Sequence, residues 1–136
     1  MGFNYQGRRV MMKGLNKNFN VTVASTGTPM QAGGIYTIAS TVSSTGATPK
    51  TYTLAAPTAR QVGQDVEIHC IQATTIKAPR VTITSASLFS TVSSTGVTKD
   101  AIRFPRADQS IVLRAWSTSK WRVMSVSASS PTITTS

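Results

Sequence analysis

One cysteine, one histidine and four acidic side chains are all that 136 residues provide for most kinds of catalysis. Cys70 alone forms no intrachain disulfide, and its neighbours Ile68 and Ile71 suggest a buried thiol acting as a small hydrophobe. A zinc site takes three or four ligands. His69, Cys70 and the four acids contain no ligand-spaced cluster, so neither metal nor cofactor is expected. His69 and Cys70 are adjacent, and on a strand adjacent side chains point to opposite faces, so they are no base–nucleophile pair. Glu67, two residues from His69, shares its face and places a carboxylate near the imidazole. A polar cluster explains that spacing as well as a Ser-His-acid triad does. No glycine-rich loop follows a strand and opens a helix; Gly33-Gly34 reads as a turn. The chain is expected not to be an enzyme.

Charge is also scarce. Charged residues make up 13% of the chain, about half the usual share, and Ser and Thr fill the gap. What charge there is has one sign: 14 basic against 4 acidic side chains give +10. Such a bias predicts attraction to nucleic acid, a membrane surface or an acidic protein lattice. Arg8, Arg9, Lys13 and Lys17 form the densest basic set, no acid precedes Asp65, and the other ten cations are scattered singly. No apolar run reaches the length of a signal peptide core or a membrane span. Gln6 stands where a myristoylation motif requires Ser or Thr. The expectation is a soluble chain made in a cytoplasm, with no membrane partner.

Sustained helical periodicity is missing too, and short alternating or β-branched runs take its place. They fall at 19–23, 35–38, 51–54, 66–71, 81–84, 101–104, 111–116 and 121–126, punctuated by Gly, Pro and Ser/Thr clusters. Eight or nine short strands at regular spacing predict an all-β fold, an antiparallel β-sandwich or a small barrel. Residues 1–18 are basic and rich in Asn and Gly, and read as an extended N-terminal arm. Residues 19–126 form the β domain, and 127–136 read as a Ser/Thr-rich C-terminal tail. Aromatics are 7% of the chain, and Trp116 and Trp121 are assigned to the core or to a subunit interface. Trp121 and Val123 share one face of the last alternating run.

One phrase is written twice. STVSSTGAT at 40–48 recurs as STVSSTGVT at 90–98, with Ala47 replaced by Val97. A polar Ser/Thr/Gly phrase carries no catalytic chemistry, so it reads as a connection reused between strands. Two related β-hairpin units explain it better than a repeat array, which needs three or more copies.

The run Tyr52-Thr53-Leu54-Ala55-Ala56-Pro57, then 63–68 and 81–83, then 110–117 and 120–123, resembles the strand grammar of small bacteriophage virion modules. Such modules occur in capsid decoration (cement) proteins and in head or tail fibres of tailed phages. The resemblance spans about residues 50–126. It implies a β-rich homotrimer on the outside of the virion, made in the host cytoplasm, that clamps subunits of the major capsid protein. In that reading the arm lies across the capsid, with Arg8, Arg9, Lys13 and Lys17 meeting an acidic lattice. Phe3, Tyr5, Met11 and Met12 supply apolar anchors, and the arm can add an edge strand to its partner. A fibre module binding a host glycan ranks second. Third is a single-stranded nucleic-acid binder in which Arg103, Arg106, Arg114 and Arg122 line a sheet near the tryptophans.

Overall fold

The computed structural model describes residues 20–40, 49–73, 78–89 and 99–134. These form ten strands: β1 (Val21–Val23), β2 (Ile35–Ala39), β3 (Thr51–Leu54), β4 (Asp65–Gln72), β5 (Arg80–Ile83), β6 (Ser87–Phe89), β7 (Ala101–Arg103), β8 (Ser110–Ser117), β9 (Lys120–Val126) and β10 (Thr132–Thr134). A short 3-10 turn at Ala59–Gln61 lies between β3 and β4. Among the described residues no helix is long and apolar enough to cross a membrane.

The two long central strands show why the chain takes this form. Along β4, Val66, Ile68 and Cys70 are buried, while Asp65, Glu67 and His69 alternate with them on the other face. Along β8, Ile111, Leu113 and Ala115 are buried between Ser110, Val112 and Arg114. A period of two gives each strand one apolar and one polar face, and burying the apolar faces demands a second layer. That layer is a separate sheet. The first sheet has six strands in the order β1-β2-β4-β8-β9-β6, and the second has four in the order β10-β7-β5-β3. Val66, Ile68, Ile111, Leu113 and Trp121 of the first sheet share one buried cluster with Tyr52, Leu54, Val81, Ile83 and Ile102 of the second.

The connectivity is a winding. β2 passes to β3 in the other sheet and returns as β4, parallel to β2. β3 passes to β4 and returns as β5, parallel to β3. The pattern begins earlier, because β1 is parallel to β2 and Met30, between them, bridges Leu54 of β3 in parallel. A parallel pair needs a crossover, usually a helix; here the crossover is a strand of the opposite sheet. After β5 the winding reverses, since β7 runs against β5 and β8 against β4. Among the described residues the hairpin of β8 and β9 is the one place where consecutive strands pair antiparallel.

The all-β, sandwich-like architecture agrees with the sequence. The two sheets do not close, so the barrel alternative falls away, and half of the eight strand pairs are parallel where a purely antiparallel arrangement was expected. Alternation reports one wet and one dry face and is silent about strand direction. The hairpin reading of the duplicated phrase also changes. The first copy begins where β2 ends and precedes β3; the second begins where β6 ends and precedes β7. Each therefore links the six-stranded sheet to the four-stranded one. Residues 41–48 and 90–98 themselves lie outside the described residues.

The ends of the first phrase are tied together across the core. Tyr52 is buried, its hydroxyl donating to the Ala39 carbonyl at 2.8 Å and accepting from the Ala39 N–H at 3.3 Å. The segment expected to be a tail contributes a strand. β10 pairs antiparallel with β7, Pro131 is buried, and Ile133 packs on the core. The buried Gln109 holds this segment by donating from Nε2 to Ser129 Oγ (3.2 Å) and to the Ser130 carbonyl (3.0 Å), while its Oε1 accepts from the Arg106 N–H.

Trp121 is fully buried against both layers. Trp121→Ala is expected to cost about 3–5 kcal/mol, as other large-to-small core changes do. Urea denaturation measures it; a loss under about 0.5 kcal/mol, the surface range, would contradict this packing.

Candidate interaction face of the six-stranded sheet

The polar side chains of β4, β8 and β9 meet in rows set by strand register. One row runs Arg122, Arg114, Asp65 across β9, β8 and β4. The next carries Val112, Glu67, Ile35 and Val21, and a third Ser110, His69, Thr37 and Val23. Every one of these lies on the face opposite the core, because their strand neighbours Val66, Ile68, Ile111, Leu113 and Trp121 point inward.

Asp65 and Arg114 form a bidentate pair, with Nε donating to Oδ1 at 2.8 Å and Nη2 to Oδ2 at 3.2 Å. The carboxylate beside it raises the Arg114 pKa further above its ordinary value, so the guanidinium stays charged at any working pH. Glu67 Oε1 and His69 Nε2 are 2.6 Å apart, the contact that their spacing foretold. Both pairs are about 40% exposed, so solvent screens them. Arg122 lies over the Trp116 ring, its guanidinium carbon 4.8 Å from the ring centroid, a cation–π contact. Trp116 keeps 48% of its surface exposed.

Beside Asp65 and Glu67 lies an open cleft of about 500 Å³, lined by Gly33, Gly34, Ile35, Gln64, Asp65 and Glu67. The turn before β2 builds one wall. Gly33 has φ +90°, and a Cβ at Gly34 would meet the Tyr36 ring at 2.5 Å. The turn reading of these glycines is therefore correct. Cys70 lies on the opposite, buried face of β4, where burial pushes its thiol up from the ordinary value. It is a core side chain, as its apolar surroundings suggested, although Ile71 next to it is exposed. Among the described residues no three His, Cys, Asp or Glu side chains come together as a metal site.

The sequence-predicted arm residues Phe3, Tyr5, Arg8, Arg9, Met11, Met12, Lys13 and Lys17 lie outside the described residues. The cation set considered for nucleic acid is divided. Arg114 and Arg122 share this face with Trp116, whereas Arg103 belongs to β7 of the other sheet and Arg106 to the connection after it. Trp121 is in the core. The outward position of Trp116 was readable from alternation with Ile111, Leu113 and Ala115. The pairing of Asp65 with Arg114 was not, because it depends on the register of β4 against β8. No protein-family model matches the chain, and no curated protein matches it in sequence.

Asp65→Asn is expected to cost less than about 1 kcal/mol, the range of exposed ion pairs; urea denaturation at low and high salt measures it, and a much larger loss would mean a buried network. Cys70 is expected to resist a thiol reagent in the native protein and to react on unfolding. Fast labelling of the folded chain would contradict its core position.

Proposed function

We propose that this chain is a structural virion protein that binds the outer surface of a phage capsid and stabilises it by bridging capsid subunits. The observation that carries the reading is where the charge resides. All four acids belong to the described body, where Asp65 is tied to Arg114 and Glu67 contacts His69. Residues 1–19 carry Arg8, Arg9, Lys13 and Lys17 and no acid at all. A basic segment attached to a compact sandwich fits a module that a lattice of acidic subunits captures and orients. The resemblance of 50–126 to phage virion modules supports the same assignment.

The segment meets the body at β1, among the described residues an edge strand, whose Val21 and Val23 are exposed. Unpaired edge groups are where an added strand would bond. Ordering such a segment costs entropy, and a homotrimer with three linked attachments offsets that cost through effective concentration. The sandwich between the attachments is filled by large apolar side chains, Trp121, Phe104 and Met30 among them. It suits a spacer that resists deformation better than a container for a small substrate. A glycan-binding fibre module stands behind this reading, because Tyr52 and Trp121 are in the core and only Trp116 of the tryptophans is offered outward.

Deleting residues 1–18 is expected to leave the circular dichroism and unfolding midpoint of the β domain unchanged and to abolish co-sedimentation with capsids. Full attachment by the truncated chain would overturn the role given to the arm.

A further inference from the structure

We infer that Arg122, held over Trp116 on the outer face of the six-stranded sheet, is a docking point for a carboxylate side chain of a partner protein. The inference begins with an imbalance in one row of the face. Arg114 and Arg122 sit directly opposite each other on β8 and β9, and like charges at opposed positions destabilise a sheet. Asp65 relieves only one of them, since both of its oxygens are taken by Arg114. Glu67 is held by His69. No acidic side chain among the described residues pairs with Arg122, and its Nε is buried without a hydrogen-bond partner.

What holds Arg122 is the indole of Trp116. A guanidinium kept over an aromatic ring has lost much of its freedom before a ligand arrives, so less entropy is lost when it binds. Its N–H groups match a carboxylate in a two-pronged geometry. Arg and Trp are also the residues on which binding energy concentrates at protein interfaces. Around them the face offers apolar patches at Val112 and Ile35, exposed Met124 on β9, and Val21 and Val23 at the edge.

The occupant is an acidic protein segment and not a nucleic acid strand, for an electrostatic reason. Asp65 and Glu67 stand on the same face, one and two strands' width from the arginines, and would repel a chain of phosphates. A single carboxylate reaching Arg122 avoids them. The carboxylate would neutralise the positive charge that Asp65 leaves on the row. This site is on the folded body and is independent of the arm, and it does not require the partner to be a capsid protein.

The test uses the full chain, ¹⁵N-labelled, with a blocked pentaglutamate peptide as the probe and the indole Nε1–H resonance of Trp116 as the reporter. A saturable shift is expected, weakened about tenfold or more in Arg122→Gln, the usual scale for losing a charge-assisted hydrogen bond. Arg122→Lys keeps the charge without the fork and is expected to fall between the two. An unchanged Trp121 indole resonance shows that each variant is folded. No shift with the peptide, or equal affinity in Arg122→Gln, would overturn the inference. So would tighter binding of a ten-nucleotide oligothymidylate than of the peptide.

Discussion

Val66, Ile68, Ile111 and Leu113 from one sheet share a single buried layer with Leu54, Val81, Ile83 and Ile102 from the other, and every other feature depends on that sharing. The strands of each sheet are dry on one side only, so neither sheet is stable alone. The chain satisfies both at once by crossing from sheet to sheet after almost every strand. Up to β5 that crossing yields parallel pairs, each strand that returns to its own sheet running beside its predecessor in the same direction, and after β5 the direction reverses. It also dictates the length and composition of the connections. The turn at Gly33, the segment 55–64 and both copies of the duplicated phrase each carry the chain between layers.

The layer likewise determines where chemistry can reside. Inward positions are taken by apolar side chains and by Cys70, whose thiol burial keeps protonated. Polar groups are displaced to the outer face of the six-stranded sheet, where strand register groups them in rows. Asp65 and Arg114 meet because β4 and β8 are antiparallel neighbours, although 49 residues separate them. Arg122 and Trp116 meet in the hairpin of β8 and β9, where the register shifts between Ala115 and Ser117. The face is a product of packing on its far side.

Much of this was legible in the sequence. Each of the eight alternating runs coincides with a strand, and the contact of Glu67 with His69 follows from a spacing of two. β6 and β10 were missed. β10, Thr132–Thr134, is a short Ser/Thr-flanked segment whose strand character comes from pairing with β7 and from the anchoring of Ser129 and Ser130 by Gln109. No local pattern carries that information. Strand direction and register were equally invisible, and with them the row of Arg122, Arg114 and Asp65. The arm residues chosen for their charge and apolar character lie outside the described residues, so the part of the site that composition marks and the part that register builds are different parts of the chain.

The functional reading joins the two: a basic segment that captures and a rigid two-layer body that spans. On the proposal that the chain is a virion protein, its most direct test is the copy number of this chain relative to the major capsid protein in purified phage particles. A lattice-wide cement protein is expected in a fixed, high ratio to the capsid subunit. A handful of copies per particle would assign the chain to a fibre or tail, and none would contradict the account.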